Sequence, residues 1–282
     1  MGISAGDVKR LREKTGAGMM ECKNALVESG GDMDQAEKRL KEKGLAAVEK
    51  RMDRATNEGK VFVKIRDQTA VLVELASETD FVARNPEFIA LGGLLADRIL
   101  DRGYTEANEE LRGLVTDLAT KIRENLSLRR LQVVRAEANQ YLTQYIHGDG
   151  SIGVVVKLQA DKPQVFLQDA VKDFAFSIAL HVAAFNPAAL DRTKIQSEFL
   201  QEQKAIFRKQ LEGDEKLAGK PQAVLDQILQ GKLTKYLSDI CLMEQGYVKE
   251  EKISVAKALA DCGKQAGADL QIVEYLYFKV GA

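Results

Sequence analysis

The 282-residue chain contains no tryptophan and only two histidines, three cysteines and four prolines. Cys22, Cys241 and Cys262 are too few and too scattered for a disulfide framework, and an odd number of cysteines suits a reducing compartment. The chain has no Cys-x-x-Cys motif, and its two histidines lack the i, i+4 spacing of a helical metal site. We therefore expect free thiols and no metal site.

The charges nearly cancel, because 41 lysines and arginines stand against 42 aspartates and glutamates, which leaves a net charge of −1. No overall field would attract nucleic acid or an anionic membrane. The sequence lacks an apolar run of the ~18 residues that a membrane span needs, and its beginning lacks a signal-peptide pattern. We expect a cytoplasmic protein that binds neither nucleic acid nor membrane, with a surface suited to a protein partner.

Motifs for nucleotide binding or catalysis are also missing. There is no P-loop and no Gly-x-Gly-x-x-Gly motif, and the Gly16–Gly18 segment follows a predicted helix instead of a strand, so no cofactor is expected. His147 or His181 could pair with Glu78 or Asp80 for acid–base catalysis, but carboxylates in turns are usually solvated. We expect that the protein is not an enzyme, and a histidine-centred enzyme is the alternative.

Residues 1–52 predict a small module of three short helices and a linker. The Gly-rich Thr15–Gly18 segment permits a tight turn between the first two helices. Asp32 with Gln35 resembles a capping box at the start of the third helix, and Gly44 fits its stop. The polar, charged segment that follows predicts a boundary between modules.

Two sets of apolar side chains could be either buried in the core or exposed for contact with a partner. Met19 and Met20 follow the glycine turn, where they pack in the module's core or serve as adaptable contact groups. Thr79 and Asp80 can cap a short helical turn after an apolar strand, which places Phe81 at a strand-to-helix junction. Phe81 then either projects toward a partner or folds back into its own core.

Residues 53–138 and 139–282 predict two related core subdomains. From Gly59 the apolar period becomes alternating, with Val61, Val63 and Ile65 on one face of a strand. Each segment then reads as strand, strand, helix, helix, strand. We therefore predict an α+β fold in which the helical module precedes two subdomains of the same order.

An insertion at about residues 190–245 separates the two helices of the second subdomain. Gly213 and the Gly219–Pro221 segment mark a turn within it. A heptad seam then steps by four and three residues through Leu229, Leu233, Tyr236, Ile240 and Met243. We predict two helices folded back as an antiparallel coiled-coil arm, which is normally a contact device.

Two segments, Leu11–Lys23 and Thr79–Ala83, closely resemble the signature regions of the bacterial elongation factor Ts family. Further matches occur in the family's order and cover most of the chain: Glu124-Asn125 with Arg129-Arg130, Tyr145–Gly148, His181–Ala184 and Cys241–Gln245. One departure is Arg123, which stands where the family usually has glycine. Together these motifs are specific for the family.

The resemblance implies a guanine nucleotide exchange factor for translation elongation. Such a factor binds elongation factor Tu in its GDP-bound and nucleotide-free states and promotes release of GDP. The three-helix module would then be ubiquitin-associated-like and would dock on the partner's GTP-binding domain through Arg12, Met19 and Met20. An adaptor or scaffold that binds proteins without exchange activity is the alternative.

The resemblance also assigns contacts in the core subdomains. Thr79, Asp80, Phe81 and Val82 would form a motif that wedges near the partner's magnesium and phosphate site. Further partner contacts are implied for the arm and for these residues: Ile122, His147 and His181. On its predicted helix, however, His181 fits a hydrogen-bonded core histidine equally well.

Overall fold

The computed structural model describes residues 3–214, 217 and 220–282. Helices and strands both contribute, and the strands form small antiparallel sheets, which confirms the predicted α+β class. Gly219, in the turn predicted between the arm helices, lies outside the described residues. No described helix combines the length and the apolar character needed to cross a membrane.

The N-terminal module consists of three helices, α1 (Ala5–Thr15), α2 (Met19–Glu28) and α3 (Met33–Glu49). Asp32 caps α3 by accepting the Gln35 N–H at 3.0 Å, as the capping pattern predicts. A small buried cluster closes the module: Val8, Leu11, Cys22, Ala25, Leu26 and Ala36. The prediction of three helices is confirmed.

The first subdomain follows the predicted order of strand, strand, helix, helix, strand, with one additional helical turn. Its three strands form an antiparallel sheet in the order in which they follow along the chain, and its helices bury an apolar cluster against one face of that sheet. The elements are β1 (Glu58–Arg66), β2 (Thr69–Ser77), α4 (Asp80–Ala83), α5 (Pro86–Arg102), α6 (Glu109–Ile122) and β3 (Leu126–Arg135).

The helix stop predicted at Gly44 is wrong, because α3 continues to Glu49. A Cβ atom at Gly44 would lie 2.3 Å from Cγ2 of Thr120 in α6. The glycine therefore permits close packing of α3 on α6, where Lys41 and Asp117 also lie 3.8 Å apart. Glycine ends a helix when it takes a left-handed conformation, and Gly44 is not among the positive-φ residues.

The second subdomain repeats the order around a three-stranded sheet in which the C-terminal strand pairs with the second strand of the hairpin, and the arm is inserted into it. A short two-stranded hairpin, which the sequence did not predict, follows the arm. The elements are β4 (Gln140–His147), β5 (Ile152–Ala160), α7 (Asp169–Phe185), α8 (Ser197–Glu212), α9 (Gln222–Ile240), β6 (Gly246–Tyr247), β7 (Glu250–Ser254), α10 (Val255–Ala266) and β8 (Leu270–Lys279).

The long helix predicted to open at Pro163 begins instead at Asp169. Pro163–Leu167 form a separate 3₁₀ turn. Gln168, with an extended backbone of φ −74° and ψ 128°, separates this turn from α7. Proline suits the first position of a 3₁₀ turn as well as that of an α-helix, so its presence does not distinguish the two.

Helices α8 and α9 form the predicted antiparallel hairpin. The Tyr236 ring of α9 lies between Phe199 and Phe207 of α8, with centroid distances of 6.4 and 5.6 Å. Leu229 and Leu233 are buried along the seam. Met243 lies beyond the end of α9 and packs on the core of the second subdomain, so the seam ends one step earlier than predicted.

The two sheets pack against each other through a shared cluster of buried residues. Gly153 of β5 permits this close approach, since a Cβ atom there would lie 2.5 Å from Val61 Cγ1. The helices cover the outer faces of the sheets. The members of the shared cluster are Val61, Val63, Ala70, Leu72, Val134, Leu142, Val155, Leu276 and Phe278.

A fully buried carboxylate, Glu74 of β2, adds a polar contact at this junction. It accepts hydrogen bonds from Arg130 at 2.6 Å, from Arg129 at 3.5 Å and from the Gly281 N–H at 3.1 Å. Arg130 also donates to the Lys279 carbonyl at 2.8 Å. The carboxylate therefore ties the first sheet to the C-terminal strand of the second.

Replacing Gly92 of α5 by alanine is expected to destabilise the protein by about 1–3 kcal/mol, the usual cost of overpacking a filled core. A Cβ atom at Gly92 would lie 2.1 Å from the Phe62 ring, which lies 6.4 Å from the Phe88 ring. The neighbouring Gly93 has open space at the same point, so Gly93→Ala is the matched control. That control should be neutral or gain up to ~1 kcal/mol of helix propensity. Chemical unfolding measures the stability of both variants. Equal changes in the free energy of unfolding would contradict the close packing of Gly92 against Phe62.

Candidate partner-binding site

The short helix α4 presents Phe81 on a well-anchored turn. Thr79 Oγ1 accepts the Val82 N–H at 3.4 Å as the N-cap. The Thr79 N–H and hydroxyl in turn donate to the Glu124 carboxylate at 3.2 and 2.8 Å. Val82 and Ala83 are buried in the core of the first subdomain. Because both sides of the turn are held, the residue between them has a defined direction.

Phe81 itself is 81% exposed. The alternative that it folds back into its own core is therefore wrong. Asp80 beside it is partly exposed and lies 3.3 Å from Arg84 one turn further on. A large, solvated aromatic ring on a rigid turn is a group that can fill an apolar pocket of another protein.

His147 lies at the hairpin turn between β4 and β5, on the same edge of the molecule as α4. A cleft lined by Asp80 and Arg84 from the α4 turn also includes Gly148 and Asp149. His147 is exposed, and its Nδ1 lies 3.0 Å from the Tyr145 hydroxyl. The structure therefore brings Gly148 and Asp149, the residues directly after His147, to the same cleft as Asp80, although they belong to different subdomains.

Arg12, Met19 and Met20, the predicted contact residues of the module, are all exposed. Met20 is 65% exposed, so the alternative that both methionines fill the module's core is wrong. The buried positions of α2 are Cys22, Ala25 and Leu26 instead. Met19 and Met20 are the first two residues of α2, directly after Gly18.

The start of α2 is fixed by Glu21. Its carboxylate accepts the Gly18 N–H at 2.9 Å and pairs with the Arg123 guanidinium. The Gly18 hydrogen bond first, and then Arg123, hold the pKa of the Glu21 carboxyl below its ordinary value. Ile122, immediately before Arg123, is partly buried against the core of the first subdomain at the end of α6.

His181 is apart from this group, because its side chain is fully buried in α7. Its Nε2 lies 2.9 Å from Gln245 Oε1, and the Gln245 amide nitrogen donates to the Asp239 carbonyl at 2.7 Å. This arrangement makes Nε2 the protonated nitrogen of a neutral ring. The structure thus corresponds to the hydrogen-bonded core histidine, and His181 does not reach the surface that carries Phe81.

The acid–base pairs considered from the sequence are not formed in the described part of the chain. The Glu78 carboxylate accepts the Asn125 N–H at 2.6 Å and lies 3.3 Å from Arg54. Asp80 pairs with Arg84, and the hydrogen-bond partners of the histidines are Tyr145 and Gln245. Among the described residues, no group of three His, Cys, Asp or Glu side chains is placed to hold a metal ion.

Comparison with known proteins identifies the family. The family model described as elongation factor TS matches residues 78–282. The chain belongs to the elongation factor Ts family. Elongation factor Ts of Treponema denticola is 46% identical over 281 residues, covering 100% of this chain and 99% of that protein. The Borrelia recurrentis protein of the same name is 38% identical over 282 residues and covers both chains fully. The predicted family is therefore confirmed.

Sequence reasoning did not find the contacts of Arg123 and Glu124. Glu124 entered only as part of a family match, and Arg123 only as a departure. Glu124 binds Thr79, and Arg123 binds Glu21. These partners are 45 and 102 positions away, so no local spacing could have indicated either contact.

We expect His181 to make the stability of the protein depend on pH. Burial holds its pKa below the ordinary value of 6.5, and the Gln245 hydrogen bond offsets this only in part. Its Nδ1 is buried and has no hydrogen-bond partner among the described residues, so an added proton would be unpaired. The unfolded chain then binds the proton more tightly. The stability that the lowered pKa of His181 contributes is therefore fully present above pH 6.5, and it is lost as the pH falls toward the folded-state pKa.

The test compares the free energy of unfolding of the parent and of His181→Gln between pH 8 and 5. The parent should lose stability more steeply below pH 6.5, by at most about 1.4 kcal/mol per pH unit for one proton. Both proteins contain the same titrating carboxylates, so the difference between their two stability curves reports on His181. Parallel curves would contradict the assignment.

Proposed function

We propose that this chain is a guanine nucleotide exchange factor for elongation factor Tu and that it promotes release of GDP during translation elongation. Membership of the elongation factor Ts family supports the proposal. The observation that carries the mechanism is Phe81, which is 81% exposed on a turn anchored through Thr79 and Val82. The factor binds its partner in the GDP-bound and nucleotide-free states and acts in the cytoplasm.

In this mechanism Phe81 is a wedge. The ring enters between helices of the partner near its magnesium and phosphate site, with Asp80 as its polar companion and with Thr79 and Val82 holding the turn. Displacement of the partner's magnesium leaves the GDP phosphates less neutralised, which weakens nucleotide binding. The ring stabilises the distorted partner by filling the space that opens.

Exchange requires no covalent step from this chain. By linkage, the factor weakens GDP binding by the same ratio by which GDP weakens binding of the factor. The ternary complex therefore separates in either direction. A factor of this kind acts through differences in binding energy, which agrees with a site composed of contact groups.

One ring does not supply enough energy for this effect. Burying a phenylalanine contributes about 1.5–3 kcal/mol, equivalent to one or two powers of ten in affinity. We assign further contacts with the partner's GTP-binding domain to Arg12, Met19 and Met20 of the module and to Ile122 and His147 at the edge of the sheets. The arm of α8 and α9 supplies another contact.

His181 has a different part in the proposal. Because its side chain is buried and hydrogen-bonded to Gln245, it supports the partner-binding subdomain from within. Gln245 lies at the segment where the chain leaves the arm, after α9. We therefore assign His181 to holding this segment instead of touching the partner.

An adaptor without exchange activity is the second candidate. It would use the module and the arm as binding surfaces and would leave GDP release unchanged. The exposed Phe81 favours exchange, since a solvated ring on an anchored turn has no role in the chain's own packing. The two candidates differ in a measurable rate.

Phe81→Ala is expected to slow factor-stimulated release of fluorescent GDP from elongation factor Tu by about ten- to a hundredfold, since the wedge contact is lost. Stopped-flow measurement at fixed magnesium tests this, with circular dichroism to establish the fold. Leu167→Ala is the matched control, because Leu167 is 78% exposed and lies in the 3₁₀ turn before α7. An unchanged release rate for Phe81→Ala would refute the wedge.

The double substitution Met19→Ala/Met20→Ala is expected to weaken binding of nucleotide-free elongation factor Tu by about tenfold or more, because two exposed apolar side chains lose their contact. Its unfolding curve should match that of the parent, since neither residue belongs to the module's buried cluster. Calorimetric titration measures the affinity. Parent-like affinity would remove the module from the proposed contact surface.

A further inference from the structure

We propose that the α6–β3 junction, defined as Arg123, Glu124 and Asn125, fixes the N-terminal module in position relative to the Phe81 turn. The inference rests on the proposed function in one respect, because it treats the module and the turn as two parts of one binding surface. The positioning itself is a property of the free chain. It can therefore be tested without the partner.

Arg123 provides the connection to the module. Its guanidinium binds the Glu21 carboxylate, and the same Glu21 oxygen accepts the Gly18 N–H at 2.9 Å. Gly18 is the N-cap of α2, so the contact acts on the residue that precedes Met19. Arg123 thereby reaches the helix end that carries the exposed methionines.

Glu124 provides the connection to the wedge. Its two carboxylate oxygens accept the N–H and the hydroxyl of Thr79, which is the N-cap of α4. Phe81 is the second residue of that helix. Two consecutive residues of the junction thus contact the starts of the two helices that carry the proposed binding groups.

Asn125 binds the linker between α3 and β1. Its side-chain amide donates to the carbonyl oxygens of Met52 and Arg54 at 3.1 and 2.8 Å, directly beyond α3. Its own N–H donates to the Glu78 carboxylate at 2.6 Å, next to Thr79. Asn125 is buried, unlike most asparagines. The linker is therefore held at the same point as the wedge.

The backbone of Arg123 is in the left-handed region, with φ 67° and ψ 25°. This conformation favours glycine, and a side chain with a Cβ atom makes it less favourable. Its N–H closes α6 on the Ala119 carbonyl at 2.9 Å, and the turn sends Glu124 toward Thr79. Arg123 adopts this left-handed backbone although glycine would adopt it more easily. We infer that the arginine side chain has a function at this position.

The Arg123–Glu21 pair orients the module but contributes little to its stability. The two side chains are 51% and 40% exposed, and exposed ion pairs are weak and screened by salt. Packing supplies the stability, through Gly44 against Thr120 and through Val48 against the first subdomain. Loss of the pair should therefore loosen the orientation without detaching the module.

The first test measures the distance between spin labels on Asn24→Cys in α2 and Ala90→Cys in α5 of the full chain. Cys262→Ser removes the partly exposed native thiol, while Cys22 and Cys241 are buried. Arg123→Gln should broaden the distance distribution in the free chain, because it removes the charge and keeps a side chain at the left-handed position.

Two further variants distinguish positioning from a general effect of charge removal. Arg102→Gln, at an exposed arginine in the last turn of α5, is the matched control and should leave the distribution narrow. Arg123→Lys keeps a cation within reach of Glu21 and should restore most of the narrow distribution. A parent-like distribution in Arg123→Gln, or equal broadening in Arg102→Gln, would overturn the inference.

The second test measures affinity for nucleotide-free elongation factor Tu. Arg123→Gln should weaken binding by no more than about fivefold, the range of exposed ion pairs. In the Met19→Ala/Met20→Ala background it should cause no further loss, because the module contact is already absent. Full additivity of the two effects would contradict a positioning role. Failure of the parent to bind would refute the proposed function, and the label distances would still decide the inference.

Discussion

The contact between the two sheets determines how the second subdomain, with its hairpin turn and its arm, lies relative to the Phe81 turn. Aliphatic side chains from both sheets share one buried cluster, and Gly153 allows the strands to approach closely. Glu74 adds a buried carboxylate that two arginines and a backbone N–H satisfy. A buried charge is tolerated only with such partners, which makes the register of this junction specific. Because the two sheets pack in this register, the hairpin turn after His147 lies beside the Phe81 turn.

The exposed contact groups share a structural principle, since each is held by buried or hydrogen-bonded neighbours. Phe81 stands between the N-cap Thr79 and the buried Val82, and Met19 and Met20 follow a glycine that Glu21 caps. Ordering these turns before association reduces the entropy that binding would otherwise cost. The chain thus presents apolar groups to solvent on anchored turns, which agrees with the proposed binding of a distorted partner.

Three hydrogen-bonded side-chain pairs order backbone segments of the chain. The pairs of Glu124 with Thr79, Glu21 with Arg123 and His181 with Gln245 all position backbone segments. The proposed differential binding would need accurate placement of contact groups, and the first two of these pairs lie at the starts of the helices that carry them. Arg123, Glu124 and Asn125 in succession contact the module, the Phe81 turn and the linker beyond α3.

The period of the apolar residues, together with capping, glycine and proline residues, predicted the class of the fold, the three-helix module, both subdomains and the arm. Burial of one face imposes such a period on helices and strands. Thr79 and Asp80 placed Phe81 at a strand-to-helix junction, but its 81% exposure was decided by the tertiary structure. Tertiary structure decided the remainder. Gly44 packs against Thr120 instead of ending α3, and Glu124 and Arg123 find partners that are distant in sequence. His181 is a core residue because α7 packs it against Gln245. Local sequence specifies which elements form, whereas long-range packing selects which side chains meet.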